Sequence, residues 1–292
     1  MYSLSNKIAI GTVQFGLDYG IANQNGKVNA NEIRSILNFA HENNINTLDT
    51  AKAYGESEGS IGNYLKERPG RSWNIITKLS SGGGKVTAQI QDSKEKLTVF
   101  PAIILAHSAN LFFDPMFQSK LQEAKDKELV HSIGVSLYSE EEINQVLESE
   151  LKPDVIQLPM NILDTRLYRC GVLSKLFDRE IEIHVRSAFL QGLFYLSKAE
   201  LEDGFKDVIP YLEKLKSISA DIGLTLSELS LLWLVNLKEV SKVIIGVDNV
   251  NQLKNHLDTL KKNIESSVFE EALSIYYENE NILNPSLWPS KS

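Results

Sequence analysis

The sequence predicts a (β/α)8 TIM barrel, a single domain over 1–292 with a long loop after the seventh strand and a C-terminal extension. Three observations carry that prediction. Short runs rich in Val and Ile alternate with longer segments of helical period, the pattern of repeated strand–helix units around a parallel sheet. The runs suited to strands number eight, which is enough to close a barrel. Four polar residues, Asp49, Lys78, His107 and Ser136, each end an apolar run and stand 29 positions apart. A repeated unit of that length puts them on one rim of the sheet, where parallel barrels keep their chemistry.

Taken in order, the first strand falls at 7–11 (KIAIG) and its helix at 31–41. The next units pair strands at 45–49, 73–77, 102–106, 131–135 and 154–158 with helices at 56–65, 88–97, 114–127, 140–147 and 167–178. A seventh strand at 181–186 is separated from an eighth at 242–246 by about 55 residues. That stretch holds a loop at 187–205, long enough to act as a cover, and helices at 208–221 and 227–234. Thr225 with Glu228 three residues later is a capping box that starts the second of these. A helix at 250–260 completes the barrel, and the tail beyond Asn263 continues as one more helix before the irregular NPSLWPSKS.

Composition narrows the function. The net charge is −8 with no basic block beyond Lys261-Lys262, so no nucleic-acid footprint is expected. No run approaches the roughly 18 apolar residues of a membrane helix, and the start, 1–7, lacks the apolar core of a signal peptide. The expectation is a cytoplasmic protein, a monomer or weak homo-oligomer. The single cysteine, Cys170, excludes a disulfide framework and a multi-thiolate metal site, and no metal is expected. Its neighbours Gly171, Val172 and Leu173 make it a packing residue.

The richest motif is DTAKAYG, from Asp49 to Gly55. It puts a carboxylate and a phenol at one mouth, and Lys78 and His107 from the next two strands add an ammonium and an imidazole. Each residue alone has an ordinary reading: a helix cap, a rim aromatic, a solvated end, a core histidine. Together they suit proton donation to a carbonyl. A phenol is a poor acid near neutrality, with a reference pKa of about 10. An adjacent ammonium stabilises the phenolate and brings donation nearer the working pH. A carboxylate keeps that ammonium charged, and an imidazole orients the carbonyl oxygen or relays a proton.

With these residues in place the chain resembles the aldo-keto reductases, (β/α)8 barrels that reduce carbonyls with a nicotinamide cofactor. GTVQFG, DTAKAYGESE, TKL, LAHS, GVSLY, QLPMN, RSAFLQGL and IIGVDNVNQLKNHL follow in the family's order over nearly the whole chain. The resemblance implies Tyr54 as general acid, Lys78 as its pKa modifier, Asp49 as the lysine's partner and His107 as the orienting group. It implies that Ser136 and Gln157 hold the nicotinamide carboxamide, with Thr12 and Asp49 near the adjoining ribose. Segment 187–193, with Ser187, Leu190 and Gly192, would run beside the pyrophosphate. Gly246, Val247, Asp248 and Asn249 would receive phosphate on free backbone N–H groups, and Gln252, Asn255 and His256 would flank the adenosine.

Three departures from the family pattern stand out. Leu137 replaces the usual Asn after the carboxamide serine. Arg186 stands where a tyrosine commonly stacks on the nicotinamide; its positive charge should favour the reduced cofactor. Asp248 lies where NADPH-preferring relatives usually carry Lys or Arg. An inward Asp248 repels a 2′-phosphate and favours NADH, whereas an outward one leaves Lys242 or Lys254 to reach it, so NADPH and NADH both stay open. The substrate expected is a small aldehyde or ketone, or a sugar or nucleotide-sugar carbonyl as in bacterial homologues with the RSAFLQG variant. The pocket mouth is expected to draw on 13–19, Tyr54, Phe112, Phe113 and Trp288, with Gln14, Asp18, Asn161 and Arg186 adding polarity. The alternatives are a nicotinamide-binding regulatory subunit with slow turnover, like the barrel subunits of potassium channels, and a barrel lyase using Lys78 as a Schiff base. The Asp49 partner argues against the lyase, since a paired, charged lysine is a weak nucleophile.

Overall fold

Eight strands close a barrel in chain order, each parallel to its two neighbours. They are β1 (Ile8–Gly11), β2 (Thr47–Asp49), β3 (Asn74–Leu79), β4 (Ile103–Ala106), β5 (Ser132–Ser136), β6 (Val155–Pro159), β7 (Glu182–Arg186) and β8 (Val240–Gly246). Pairing of β1 with β8, Gly11 opposite Gly246, completes the ring. The computed structural model describes residues 4–82 and 85–288. The first three residues of the polar start and the last four of the tail lie outside the described residues.

The strands read as near-continuous apolar runs because both their faces are covered. Inside the barrel, Ile76, Ile103, Leu105 and Val155 form a small cluster of their own. Ile76 and Val155 lie two residues below Lys78 and Gln157, Ile103 is paired with Ile76 and Leu105 with Lys78, so the cluster floors the site. Gly134 lies between Leu105 and Val155 in the ladder, and any Cβ there would strike the Val155 backbone. The larger core lies between the strands and the surrounding helices.

Those helices are α1 (Ala30–Glu42), α2 (Ser57–Glu67), α3 (Val86–Leu97), α4 (Ala109–Phe112), α5 (Pro115–Asp126) and α6 (Glu140–Glu148). After β6 come α7 (Arg166–Arg169), α8 (Val172–Phe177), α9 (Lys198–Leu201), α10 (Ile209–Asp221) and α11 (Leu226–Asn236), then α12 (Val250–Thr259), α13 (Ser266–Leu273) and α14 (Glu280–Leu283). Side-chain caps start many of them. Asn29 accepts from two N–H groups of α1, Asp114 does so ahead of Pro115 in α5, and Thr225 with Glu228 forms the expected capping box of α11.

Three elements differ from expectation. The helix expected at 167–178 is two, α7 and α8, because Gly171 takes a left-handed φ of 76° that interrupts the hydrogen-bond ladder. The loop at 187–205 is ordered, with a 3₁₀ turn at Leu190–Tyr195 and α9. The tail adds α14 and a 3₁₀ turn at Pro285–Leu287 after its one expected helix. Cys170 is half-buried at the α7–α8 break, and burial pushes its thiol up, away from the thiolate. Among the described residues no single helix is long and apolar enough to cross a membrane.

Candidate active site

Asp49 ends β2 and Lys78 lies near the end of β3, both inside the mouth of the barrel and almost fully buried. Lys78 Nζ donates to Asp49 Oδ1 at 2.5 Å, to the Thr50 carbonyl at 3.1 Å and to Tyr54 Oη at 3.4 Å. The other carboxylate oxygen of Asp49 accepts from Gln157 Nε2 at 2.7 Å. Burial works against the charge on Lys78, but Asp49 and then Tyr54 outweigh it and hold the ammonium above the ordinary lysine value. A permanently charged donor thus sits against a phenol oxygen.

Tyr54 owes its position to a close backbone approach. Its turn is tied by Tyr54 N–H to the Ala51 carbonyl and Ser57 N–H to the Tyr54 carbonyl, both at 3.0 Å. Gly16, in the loop after β1, lies so close that a Cβ would land on the Tyr54 carbonyl oxygen. Gly55 answers from the other side: its φ is 55°, and a Cβ there would lie 2.7 Å from the Gly16 carbonyl. Below the turn, Thr12 Oγ1 donates to the Asp49 carbonyl at 2.9 Å and Ser57 Oγ to the Thr12 carbonyl at 2.8 Å. His107 follows β4 and meets Tyr54 edge to face, with ring centroids 6.2 Å apart. Burial first, then Lys78 and Arg186, lower its pKa to about 4, so the imidazole is neutral at pH 7. The structure therefore brings Asp49, Tyr54, Lys78 and His107 together.

These groups open into a cavity of about 820 Å³, in the size range of small-molecule sites. Thr12, Ser136, Gln157, Arg186, Ser187 and Gly192 line it, as do Gly246, Asp248, Gln252, Asn255 and His256. Leu190, Val247 and Asn249 do not. Leu190 and Val247 are fully buried in the apolar core, and Asn249 Oδ1 is used to cap α12 through the Gln252 N–H. Of the N–H groups expected to receive phosphate at 246–249, that of Asp248 is already engaged, as are two in the first turn of α12. Asp248 N–H donates to Gln252 Oε1 at 2.8 Å, Val250 N–H to Glu32 Oε1 at 2.6 Å and Gln252 N–H to Asn249 at 2.9 Å. Two amides and one carboxylate thus occupy these three N–H groups. Asp248 turns inward, with Oδ2 accepting from Gln252 at 3.3 Å and Oδ1 buried without a partner. Burial raises its pKa.

The expected mouth residues divide. Gln14 and Tyr54 line the cavity, while Asp18 is exposed outside it. Phe112 is core, and Phe113 packs edge to face against it. Trp288 meets Phe205 edge to face and leaves Pro285 and Ser286 as the tail's contribution. Asn161 is fully buried, spent on holding its own turn and the Ser187 carbonyl.

Of the other cavity residues, Tyr19 falls in the expected segment 13–19 and Phe189 and Gln191 in 187–193 without having been singled out, and Tyr138 was not expected. Tyr138, two positions past Ser136, carries the Arg186 guanidinium over its ring at 4.1 Å. Phe189 stacks on His256 with centroids 4.9 Å apart, and the burial of that imidazole lowers its pKa to about 4. Tyr19 and Gln191 bridge the loops after β1 and β7, joined also by Ile21 N–H to the Gln191 carbonyl at 3.0 Å. Alternation past Ser136 was the available signal for Tyr138; the others depend on how two distant loops meet. Among the described residues no cluster of three His, Cys, Asp or Glu is placed to hold a metal ion.

The model of the Aldo/keto reductase family matches residues 7–276. Among solved structures, the fold resembles an aldo-keto reductase from Bacillus halodurans in its holo form: TM-score 0.77, 19% identity, 94% of each chain covered. It also resembles a glycerol dehydrogenase from Gluconobacter oxydans: TM-score 0.73, 17% identity, covering 98% of this chain and 94% of that one.

Proposed function

The chain belongs to the aldo/keto reductase family, and from that premise we propose that it reduces an aldehyde or ketone, Tyr54 giving its proton to the carbonyl oxygen and NADH serving as cofactor. The observation that carries this reading is the buried Lys78 ammonium held between Asp49 Oδ1 at 2.5 Å and Tyr54 Oη at 3.4 Å, at the wall of a cavity.

The residues present fit a nicotinamide dinucleotide. Gln157 Oε1 is buried and unpartnered, an acceptor suited to a carboxamide N–H, and Ser136 is its ladder partner. Asp248 lines the cavity and its Oδ1 is likewise an acceptor without a partner, suited to a ribose hydroxyl. When bound, the reduced ring supplies hydride to the carbonyl carbon. Lys78 stabilises the phenolate that Tyr54 becomes, and Asp49 and Gln157 keep Lys78 aimed. The neutral His107 donates a hydrogen bond that orients the carbonyl oxygen.

Asp248 decides the cofactor. A 2′-phosphate about 4 Å from its carboxylate would be repelled by roughly 4 kcal/mol at an effective dielectric of 20, before screening. The N–H groups of Asp248, Val250 and Gln252, which could offset this, are already bonded. Tyr19 and Tyr138 give the substrate end hydroxyl groups, which favours a hydroxylated carbonyl compound such as a sugar. The experiment is multiple turnover of the purified protein with NADH or NADPH against a panel of simple aldehydes, ketones and aldoses. Turnover with NADH preferred is expected. Tight dinucleotide binding with less than one turnover would point to a regulatory subunit instead.

A further inference from the structure

Arg186, at the end of β7, is a cation without a carboxylate partner among the described residues. Its guanidinium lies over the Tyr138 ring at 4.1 Å, its Nε donates to Ser136 Oγ at 3.4 Å, and its Nη2 is buried with no hydrogen bond. Of the carboxylates lining the cavity, Asp49 is taken up by Lys78 and Gln157. Glu228, Asp258 and Asp248 belong to α11, α12 and the turn between β8 and α12, and none forms an ion pair with Arg186. Lys78 and Asp49 cancel each other, and the nearby imidazole of His107 is neutral. Among Asp49, Lys78, His107 and Arg186 one positive charge is therefore left uncompensated, that of the guanidinium over the tyrosine ring.

We infer that Arg186 makes the dinucleotide site select the reduced cofactor over the oxidised one. This rests on the reading above, in which the nicotinamide end lies at Ser136 and Gln157. A carboxamide bound there shares Ser136 Oγ with the guanidinium, so the ring and the cation are neighbours. The reduced ring is neutral. The oxidised ring carries a positive charge that the uncompensated guanidinium repels, in a site where low dielectric strengthens the repulsion. The overall reaction equilibrium is untouched, but the oxidised form is released sooner, and in a mixture of both forms the protein is loaded for reduction.

The test is the ratio of dissociation constants for oxidised and reduced dinucleotide, measured by titration calorimetry without substrate. NAD+/NADH and NADP+/NADPH are both measured, and the ratio is read from the pair that binds more tightly. Wild type should bind the reduced form about tenfold or more tightly. Arg186→Met should lower that ratio by about tenfold, chiefly by tightening the oxidised form, whereas Arg186→Lys keeps the charge and most of the ratio. Arg186→Gln, which retains a donor for Ser136, should behave as the methionine variant does and serves if that one fails to fold. A ratio within about twofold of wild type in the neutral variants would overturn the inference, as would a lysine variant that loses as much as they do. Failure of wild type to bind either form would overturn the dinucleotide reading itself, and this inference with it.

Discussion

Separating Asp49 from Lys78 should cost more than removing both charges. The two side chains are 4% and 1% exposed and meet at 2.5 Å. Each has little else: Asp49 keeps the Gln157 amide, and Lys78 the Thr50 carbonyl and the Tyr54 hydroxyl. Lys78→Met preserves the aliphatic stem but leaves a buried carboxylate with one amide for company. Asp49→Asn leaves a buried ammonium with two neutral acceptors. Breaking a buried pair in this way costs about 3–5 kcal/mol, a large part of the roughly 5–15 kcal/mol that holds a domain together. The double variant strands no charge and should lose only about 1–2 kcal/mol, since a buried pair replaced by neutral groups of similar volume is often nearly neutral. Urea unfolding followed by tryptophan fluorescence and circular dichroism gives the three values. Losses in the double variant equal to the sum of the singles, within about 0.5 kcal/mol, would refute the coupling. The sign of the pH dependence follows too. Because the fold raises the Lys78 pKa, its contribution is full below 10.5 and is lost only as pH climbs past that value toward the folded one.

Three further outcomes follow from particular contacts. Asp248→Ser should shift the ratio of kcat/KM for NADPH over NADH upward by about tenfold or more; an unchanged ratio would remove Asp248 from cofactor choice. Gly16→Ala should destabilise by about 1–3 kcal/mol and lower kcat, because its Cβ strikes the backbone that carries Tyr54. Gly59→Ala, in α2 with open space around it, should instead be neutral or stabilise by up to about 1 kcal/mol, and equal effects of the two would contradict the steric account. His107 and His256 have folded pKa values of about 4, below the ordinary 6.5. The unfolded chain takes up their protons first, so stability is full above 6.5 and declines as pH falls through the window toward 4. His256→Phe, which keeps the stack on Phe189, should flatten that decline in denaturant midpoints, and an identical slope would exclude this histidine.

The barrel was legible because parallel strands buried on both faces leave unbroken Val and Ile runs, and their ends repeat with the unit length. Asp49, Lys78 and His107 could be placed on one rim for that reason alone. The break at Gly171 was invisible, since apolar periodicity runs on through it while one left-handed residue stops the helix. Which residues of a loop face inward was not readable either. Val247 and Leu190 turn into the core beside lining neighbours, and Asn161 is consumed by its own turn. The closed end of α12 is the clearest case: the carboxylate that occupies the Val250 N–H comes from Glu32, 218 positions away, with no local signal.

The account rests on the Tyr54 hydroxyl being the proton donor, and Tyr54→Phe under saturating NADH and aldehyde is the most direct measurement of that claim. Loss of about 10²–10⁴ in kcat is expected, with the dinucleotide dissociation constant unchanged, because Lys78 and Asp49 keep each other in place without the phenol. Turnover within about threefold of wild type, when that loss is expected, would show that the proton comes from elsewhere.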